Sequence, residues 1–262
     1  SVASDKVARV DLQNFTSSGV TVLSLPDAGF NKGFTDGRFG YFLHSGHGTI
    51  VRVDLQNFTT GVPTTLDLKA VNPLLSGFIG GFTDGRYGYI VPGPNLVAAR
   101  VDLQNFTASG VTALDLTGIS PPLATFYGGF TDGRYGYFVP YGVADGGMLA
   151  RVDLKNFTVS GVTTLNLKDA DSDLGGFIGG FTDGRYGYLV PCNNGKVARV
   201  DLQNFSLSGV SSINLAALDP ELWRFNGGFT DGRHGYFVPN GQTLGAPGKV
   251  ARIMLFFGGS SP

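Results

Sequence analysis

Two phrases recur from one end of the chain to the other: Gly-Gly-Phe-Thr-Asp-Gly-Arg-Tyr-Gly-Tyr and, after it, Ala-Arg-Val-Asp-Leu-Gln-Asn-Phe-Thr. The arginine of the first phrase falls at Arg38, Arg86, Arg134, Arg185 and Arg233, a spacing of 48, 48, 51 and 48 residues. A period of that length marks stacked supersecondary units, each too small to bury its apolar face alone. It also bears on function. Every residue that looks catalytic comes in five copies, whereas an enzyme site joins unlike groups at one place.

The fourth full unit illustrates the reading. Phe177 to Thr182 is short and apolar, with a Gly-Gly pair that admits another group close to the backbone, as in a strand in a crowded place. Asp183-Gly184 supplies a hairpin turn, because this pair takes positive φ at little cost. Arg185 to Pro191 alternates so that Tyr186, Tyr188 and Val190 share a face. A variable loop leads to a third strand, Val197 to Leu202, with Ala198, Val200 and Leu202 on one face and Arg199 and Asp201 on the other. Asn204 to Gly209 turns the chain into a fourth strand, Val210 to Leu215. Four antiparallel strands in about 48 residues make one blade of a β-propeller. The expected fold is therefore all-β, a five-bladed propeller of four-stranded antiparallel blades in one domain, residues 1–262.

The segments joining the units, such as Lys69 to Gly77 and Ala216 to Asn226, are irregular, with a helical turn expected after Asp219-Pro220. Variation concentrates there and between the second and third strands. The third strand poses a closure problem, because its arginine occurs six times, at Arg9, Arg52, Arg100, Arg151, Arg199 and Arg252. A ring closed by strands from both termini has no free edge. The segments at 7–15 and 250–257 then compete for one slot. The last blade is expected to join residues 226–243 with Val20 to Leu25, leaving the surplus strand outside as a docking edge.

Composition narrows the function classes. Nineteen basic against twenty acidic residues give a formal charge of −1, too little field to hold a polyanion or an anionic membrane surface. No apolar run reaches the length of a membrane-spanning helix. The single cysteine, Cys192, excludes an internal disulfide framework. A start at Ser1 without methionine reads as a processed form and favours secretion or an organelle lumen.

The Gly-Gly-Phe-Thr-Asp-Gly-Arg-Tyr-Gly-Tyr-Phe-Val-Pro segment and the Val-Ala-Arg-Val-Asp that follows resemble the blade repeat of tandem-repeat β-propeller proteins of bacteria and algae. In number and length of repeats the chain is similar to the five-bladed tachylectin-type propellers. The lectin's binding motif finds no residue-by-residue match, so sugar binding does not carry over. The resemblance implies an interaction platform, and its algal side an accessory lumenal subunit of a photosynthetic complex.

Several constellations are candidates for chemistry. Asp36, Asp84, Asp132, Asp183 and Asp231 could ring a central channel and attract a divalent cation. Asp-Gly is also turn chemistry, and the arginines at 38, 86, 134, 185 and 233 stand two residues on to neutralise these carboxylates, so both sets are assigned to structure. The third-strand pairs Arg52/Asp54, Arg100/Asp102, Arg151/Asp153 and Arg199/Asp201 are expected to bond between neighbouring strands or blades. Asn14, Asn57, Asn105, Asn156 and Asn204 each open a glycosylation sequon, although the same residues suit a turn.

The residues that break the repeat are His44, His47 and His234, together with Glu221, Trp223 and Arg224 in the last crossover. They are the candidates for ligand or partner contact. Three imidazoles can hold zinc, but no glutamate or cysteine lies near them in sequence, and no metal and no cofactor is assigned. No nucleophile motif, phosphate loop or pair of glutamates appears, so no catalytic residue is assigned and the chain is not expected to be an enzyme. The leading expectation is a non-catalytic scaffold or docking subunit of a larger protein assembly. The alternative is a multivalent lectin-like binder of glycans or other small ligands in pockets between blades.

Overall fold

A computed structural model describes residues 5–44, 46–142, 146–240 and 248–255. The chain divides into two compact units, Ser1–Asp115 and Leu116–Pro262.

The first unit holds β1 (Lys6–Val10), β2 (Val20–Ser24), β3 (Phe30–Thr35), β4 (Phe39–His44), β5 (Thr49–Asp54), β6 (Thr64–Asp67), β7 (Gly80–Thr83), β8 (Tyr87–Val91), β9 (Val97–Asp102) and β10 (Val111–Asp115). β1 and β2 form a two-stranded sheet, while β3 to β6 and β7 to β10 form four-stranded antiparallel meanders. The second unit holds β11 (Phe126–Thr131), β12 (Tyr135–Pro140), β13 (Met148–Asp153), β14 (Val162–Asn166), β15 (Phe177–Thr182), β16 (Tyr186–Pro191), β17 (Lys196–Asp201), β18 (Val210–Asn214), β19 (Phe225–Thr230), β20 (His234–Pro239) and β21 (Ala251–Met254). β11 to β14 and β15 to β18 are again four-stranded, and β19 to β21 form a three-stranded sheet.

The expectation of five blades is thereby corrected. The described residues form six sheets, of which four are complete, one has three strands and one has two. Nor do the two terminal copies of the third strand compete for one slot. β1 pairs with β2, Arg9 opposite Thr21, and β20 pairs with β21, Tyr236 opposite Arg252. Val20 to Ser24 therefore completes its own hairpin instead of the last sheet. Each strand takes a neighbour close in sequence, where loop closure costs least. Residues 241–243, 256 and 257, which the expected last blade and the surplus strand included, lie outside the described residues.

Neighbouring sheets within a unit interlock through a ring on glycine. In the second unit Phe130 of β11 lies against the sheet of β15 and β16. A Cβ at Gly180 or Gly187 would come within 3.0 or 2.6 Å of its ring. Gly179, just before, takes φ of +93° at the register shift between β15 and β16. The Gly-Gly pair thus serves a bulge at its first residue and a close approach at its second. Phe34 repeats the contact in the first unit, against Gly81 and Gly88. A second link is the third-strand arginine. Arg52 lies over Phe39, 4.9 Å from the ring centre, and over Phe106 of the next sheet's turn, at 4.6 Å. Arg151 does the same with Tyr135 and Phe205.

Candidate functional site

The repeated charges are absorbed by the repeat. In the second unit the Asp132 Oδ1 accepts the N–H groups of Arg134 and Tyr135 at 2.9 and 2.7 Å, and its Oδ2 accepts the buried Tyr137 hydroxyl at 2.8 Å. Asp36, Asp84, Asp183 and Asp231 hold Tyr41, Tyr89, Tyr188 and Tyr236 in the same way. Burial first, and the aspartate second, push the phenols of Tyr41, Tyr89, Tyr137 and Tyr188 far above their usual range.

The arginine two residues on has a different partner from the one expected. Arg38, Arg86 and Arg185 reach Asp54, Asp102 and Asp201 on the third strand, at 3.6, 2.6 and 3.1 Å. Those third-strand aspartates also accept backbone N–H groups, such as those of Gln104 and Asn105 on Asp102. The third-strand arginines Arg52, Arg100, Arg151 and Arg199 stack on aromatic rings, and Arg151 and Arg199 also donate from Nε to Thr163 and Ser211 of the neighbouring strand, each at 3.0 Å.

The five sequon asparagines are all exposed. Asn14, Asn105 and Asn156 accept the hydroxyl of the threonine two residues on, and Asn204 that of Ser206, at 2.8–2.9 Å. Asn57 bonds to Asp54 Oδ2 instead. Its turn is one residue shorter than the others.

The unrepeated residues form two local groups. At the end of β4, buried His44 and exposed His47 stack with ring centres 4.0 Å apart and planes 3° from parallel. The His47 N–H donates to His44 Nδ1 at 3.0 Å. Asp27 Oδ2 lies 2.5 Å from His47 Nδ1 and 3.7 Å from His44 Nε2. The Ala28 N–H and then His47 hold the Asp27 carboxyl below its ordinary range. These three ligand atoms lie within 4.8 Å of one another. An imidazole binds an ion in its ring plane, however, and stacked parallel planes share no such point. In this arrangement the trio is a hydrogen-bonded set. Asp27 was not legible in the sequence, because the crossover that carries it departs from the repeat and offers no spacing signal. His234 sits in its own turn, 3.6 Å from Asp231 Oδ2 and edge-on to Tyr236.

The second group is the crossover between β18 and β19. Leu215 and Phe225 are buried at its two ends. Between them the chain turns at Asp219, whose carbonyl accepts the Leu222 N–H at 2.9 Å. Trp223 and Arg224 then stand where the crossover before β15 has Gly175 and Gly176 and the one before β7 has Ser76 and Gly77. The Arg224 guanidinium lies 5.0 Å from the Trp223 ring centre, and its buried Nε has no hydrogen-bond partner. Leu218 and Trp223 are exposed, and Lys249 bridges Asp219 and Glu221 beside them. Lys249 as the partner of Glu221 could not be read from the sequence, since the two lie in different repeats.

Cavities between sheets of the second unit are unlike. One of about 210 Å³ is lined by Arg199, Ile213 and Met254 among others, and one of about 390 Å³ by Asp132, Arg134 and Gln203 among others.

No protein-family model matches the chain, and no curated protein matches it in sequence. Solved structures match its fold. Virginiamycin B lyase from Staphylococcus aureus superposes with a TM-score of 0.63 at 16% identity, over 97% of this chain and 74% of that one. A chain of the nidogen/laminin complex gives 0.63 at 14% identity, over 90% and 83%. The Cps50 (Swd1) β-propeller domain of Myceliophteria thermophila gives 0.58 at 11% identity, over 89% and 73%. The likeness shows the β-propeller fold. This chain spans 45 to 83% of the length of such neighbours. They differ in role, one being a lyase and another part of a complex between proteins.

Proposed function

We propose that this chain is a non-catalytic propeller scaffold that docks on a protein partner through the crossover between β18 and β19. The observation that carries this reading is the exposed Trp223, with the half-buried Arg224 beside it, at a position that holds small residues in other crossovers. Tryptophan and arginine are the residue types that most often dominate protein interfaces. The repeated polar groups point the same way, since turn and strand contacts occupy them. Fold neighbours that sit in protein complexes, the nidogen/laminin and mitotic checkpoint structures, are consistent with it. Equivalent glycan pockets would call for like linings, and the cavities described above are unlike.

The test is native purification of the wild-type chain and of Trp223→Ala, followed by mass spectrometry of what travels with each. A hot-spot tryptophan contributes about 2 kcal/mol, ~30-fold in affinity, so a partner held by wild type should be lost from the variant. Equal retention by Trp223→Ala would remove this crossover as the docking site.

A further inference from the structure

Arg38, Arg86 and Arg185 each reach the third-strand aspartate of their own sheet. Arg134 does not. Asp153 stands at the same register position, opposite Tyr135, yet Arg134 makes no ion pair among the described residues. The sequence gives a reason. Arg86 is shared between the Asp102 carboxylate and the Gln104 side-chain carbonyl. Other copies of this phrase keep the glutamine, as Gln13, Gln56 and Gln203, but this sheet has Lys155 there. A cation where Arg86 finds an acceptor lowers the gain from pairing with Asp153 and leaves the Arg134 guanidinium to the neighbouring cavity.

That cavity, of about 390 Å³, lies between the sheet of β11 to β14 and that of β15 to β18, within the second unit. The volume is in the range of small-molecule sites. Arg134, Arg151, Tyr135, Gln203 and Asp132 are among its lining residues. Two guanidinium groups thus meet one carboxylate, and Asp132 already accepts the N–H groups of Arg134 and Tyr135 and the Tyr137 hydroxyl. The unspent capacity is that of donors.

Arg151 is held in place. Its guanidinium lies 4.5 Å from the Tyr135 ring centre and 4.2 Å from that of Phe205, and its Nε donates to Thr163. Stacking uses the face of a guanidinium and leaves its in-plane N–H groups free to bond. Among the described residues those of Nη1 and Nη2 have no acceptor. Arg134 lies against the same Tyr135 ring, 4.9 Å from its centre. Gln203 also keeps its side-chain amide unbonded among the described residues, since Arg185 uses Asp201. Between β3 to β6 and β7 to β10 the same positions are spent within their own sheets, Arg38 on Asp54 and Gln104 on Arg86.

We propose that this cavity binds a small carboxylate, held by Arg134 and Arg151 with Gln203 beside them. A carboxylate is the group that Asp54, Asp102 and Asp201 present to the equivalent arginines. A guanidinium can take it through two parallel N–H bonds. Because the site depends on Lys155, which stands in one copy of the phrase, each chain holds one ligand.

Titration calorimetry of the full chain with succinate at low ionic strength tests this. Wild type should bind one succinate per chain, neutral succinamide should give no saturable heat, and inorganic phosphate should bind more weakly than succinate. Arg134→Gln removes one charge-assisted pair and should weaken succinate about tenfold. Lys155→Gln lies outside the cavity lining and gives Arg134 the acceptor that Arg86 has, so it should also weaken succinate. Both residues are exposed, and the variants should melt like wild type by circular dichroism. Arg38→Gln should bind succinate like wild type. So should Trp223→Ala, which keeps this site apart from the docking crossover. No saturable binding of succinate, or several equal sites per chain, overturns the proposal. So does unchanged affinity in Arg134→Gln or in Lys155→Gln, and so does phosphate bound as tightly as succinate.

Discussion

The Tyr137 hydroxyl is buried, and its described acceptor is the Asp132 carboxylate at 2.8 Å, which also ties two N–H groups of its own turn. One aspartate thus sets the hairpin and anchors a core ring. Asp132→Ala leaves a buried hydroxyl without its acceptor and should cost about 2–3 kcal/mol. Asp132→Asn, which keeps acceptors for the turn, should cost less, and urea unfolding of the two variants gives the order. The aspartates also set a pH dependence. Burial alone would raise Asp102 and Asp201, but N–H donors together with Arg86 or Arg185 outweigh it and hold both carboxyls below the ordinary range. Asp231 is held low by the N–H of His234, then by Tyr236. With folded values depressed, their stabilisation is complete above the unfolded carboxylate range, about pH 4, and is lost as pH falls from there through the folded values. The urea midpoint should be level near neutrality and drop in acid below about pH 4. A midpoint that held level down to pH 2 would contradict this assignment.

At the scale of the element, the contact to test is a phenylalanine of one sheet on the glycines of the next. Phe130→Ala should cost about 3–5 kcal/mol, as deletion of a buried ring does. Gly187→Val should cost about 1–3 kcal/mol by overpacking, because its Cβ would stand 2.6 Å from that ring. The two changes relieve one another, so the double variant should be more stable than the sum of the single losses predicts. Additive losses in a double-mutant cycle would show that the ring and the glycine do not meet. The strands themselves were legible. β15 runs from Phe177 to Thr182 as the sequence indicates, and β16, β17 and β18 fall within a residue of the expected bounds. Period-two alternation and Asp-Gly turns act over a few residues, and a single sequence exposes such short-range terms directly. The partner of each repeated arginine was not legible. Asp183 and Asp201 are both available to Arg185, and the choice follows from strand register, a long-range property.

For the molecule as a whole, Phe229 is 57% exposed and stacks on Tyr236 with ring centres 5.2 Å apart. Phe229→Ala should therefore cost about 0.5–1.5 kcal/mol, well below the loss at the buried Phe130, and calorimetry would measure it. The candidate sites divide in two. The sequence singled out His44, His47 and the Trp223 crossover because they break a strict repeat. It could not supply Asp27 or Lys249, which meet them only through folding. What the sequence determined by itself is the unit: four short strands, their turns, the aspartate that ties each hairpin, and the glycines that let a neighbouring ring approach. Only the tertiary structure decided how many sheets form and which strand completes each. β1 and β21 carry nearly the same phrase and fit the same neighbour, so the pattern is degenerate between them. The degeneracy is lifted by which strand each one finds close by in the chain, and that is why the described residues form six sheets where five blades were expected.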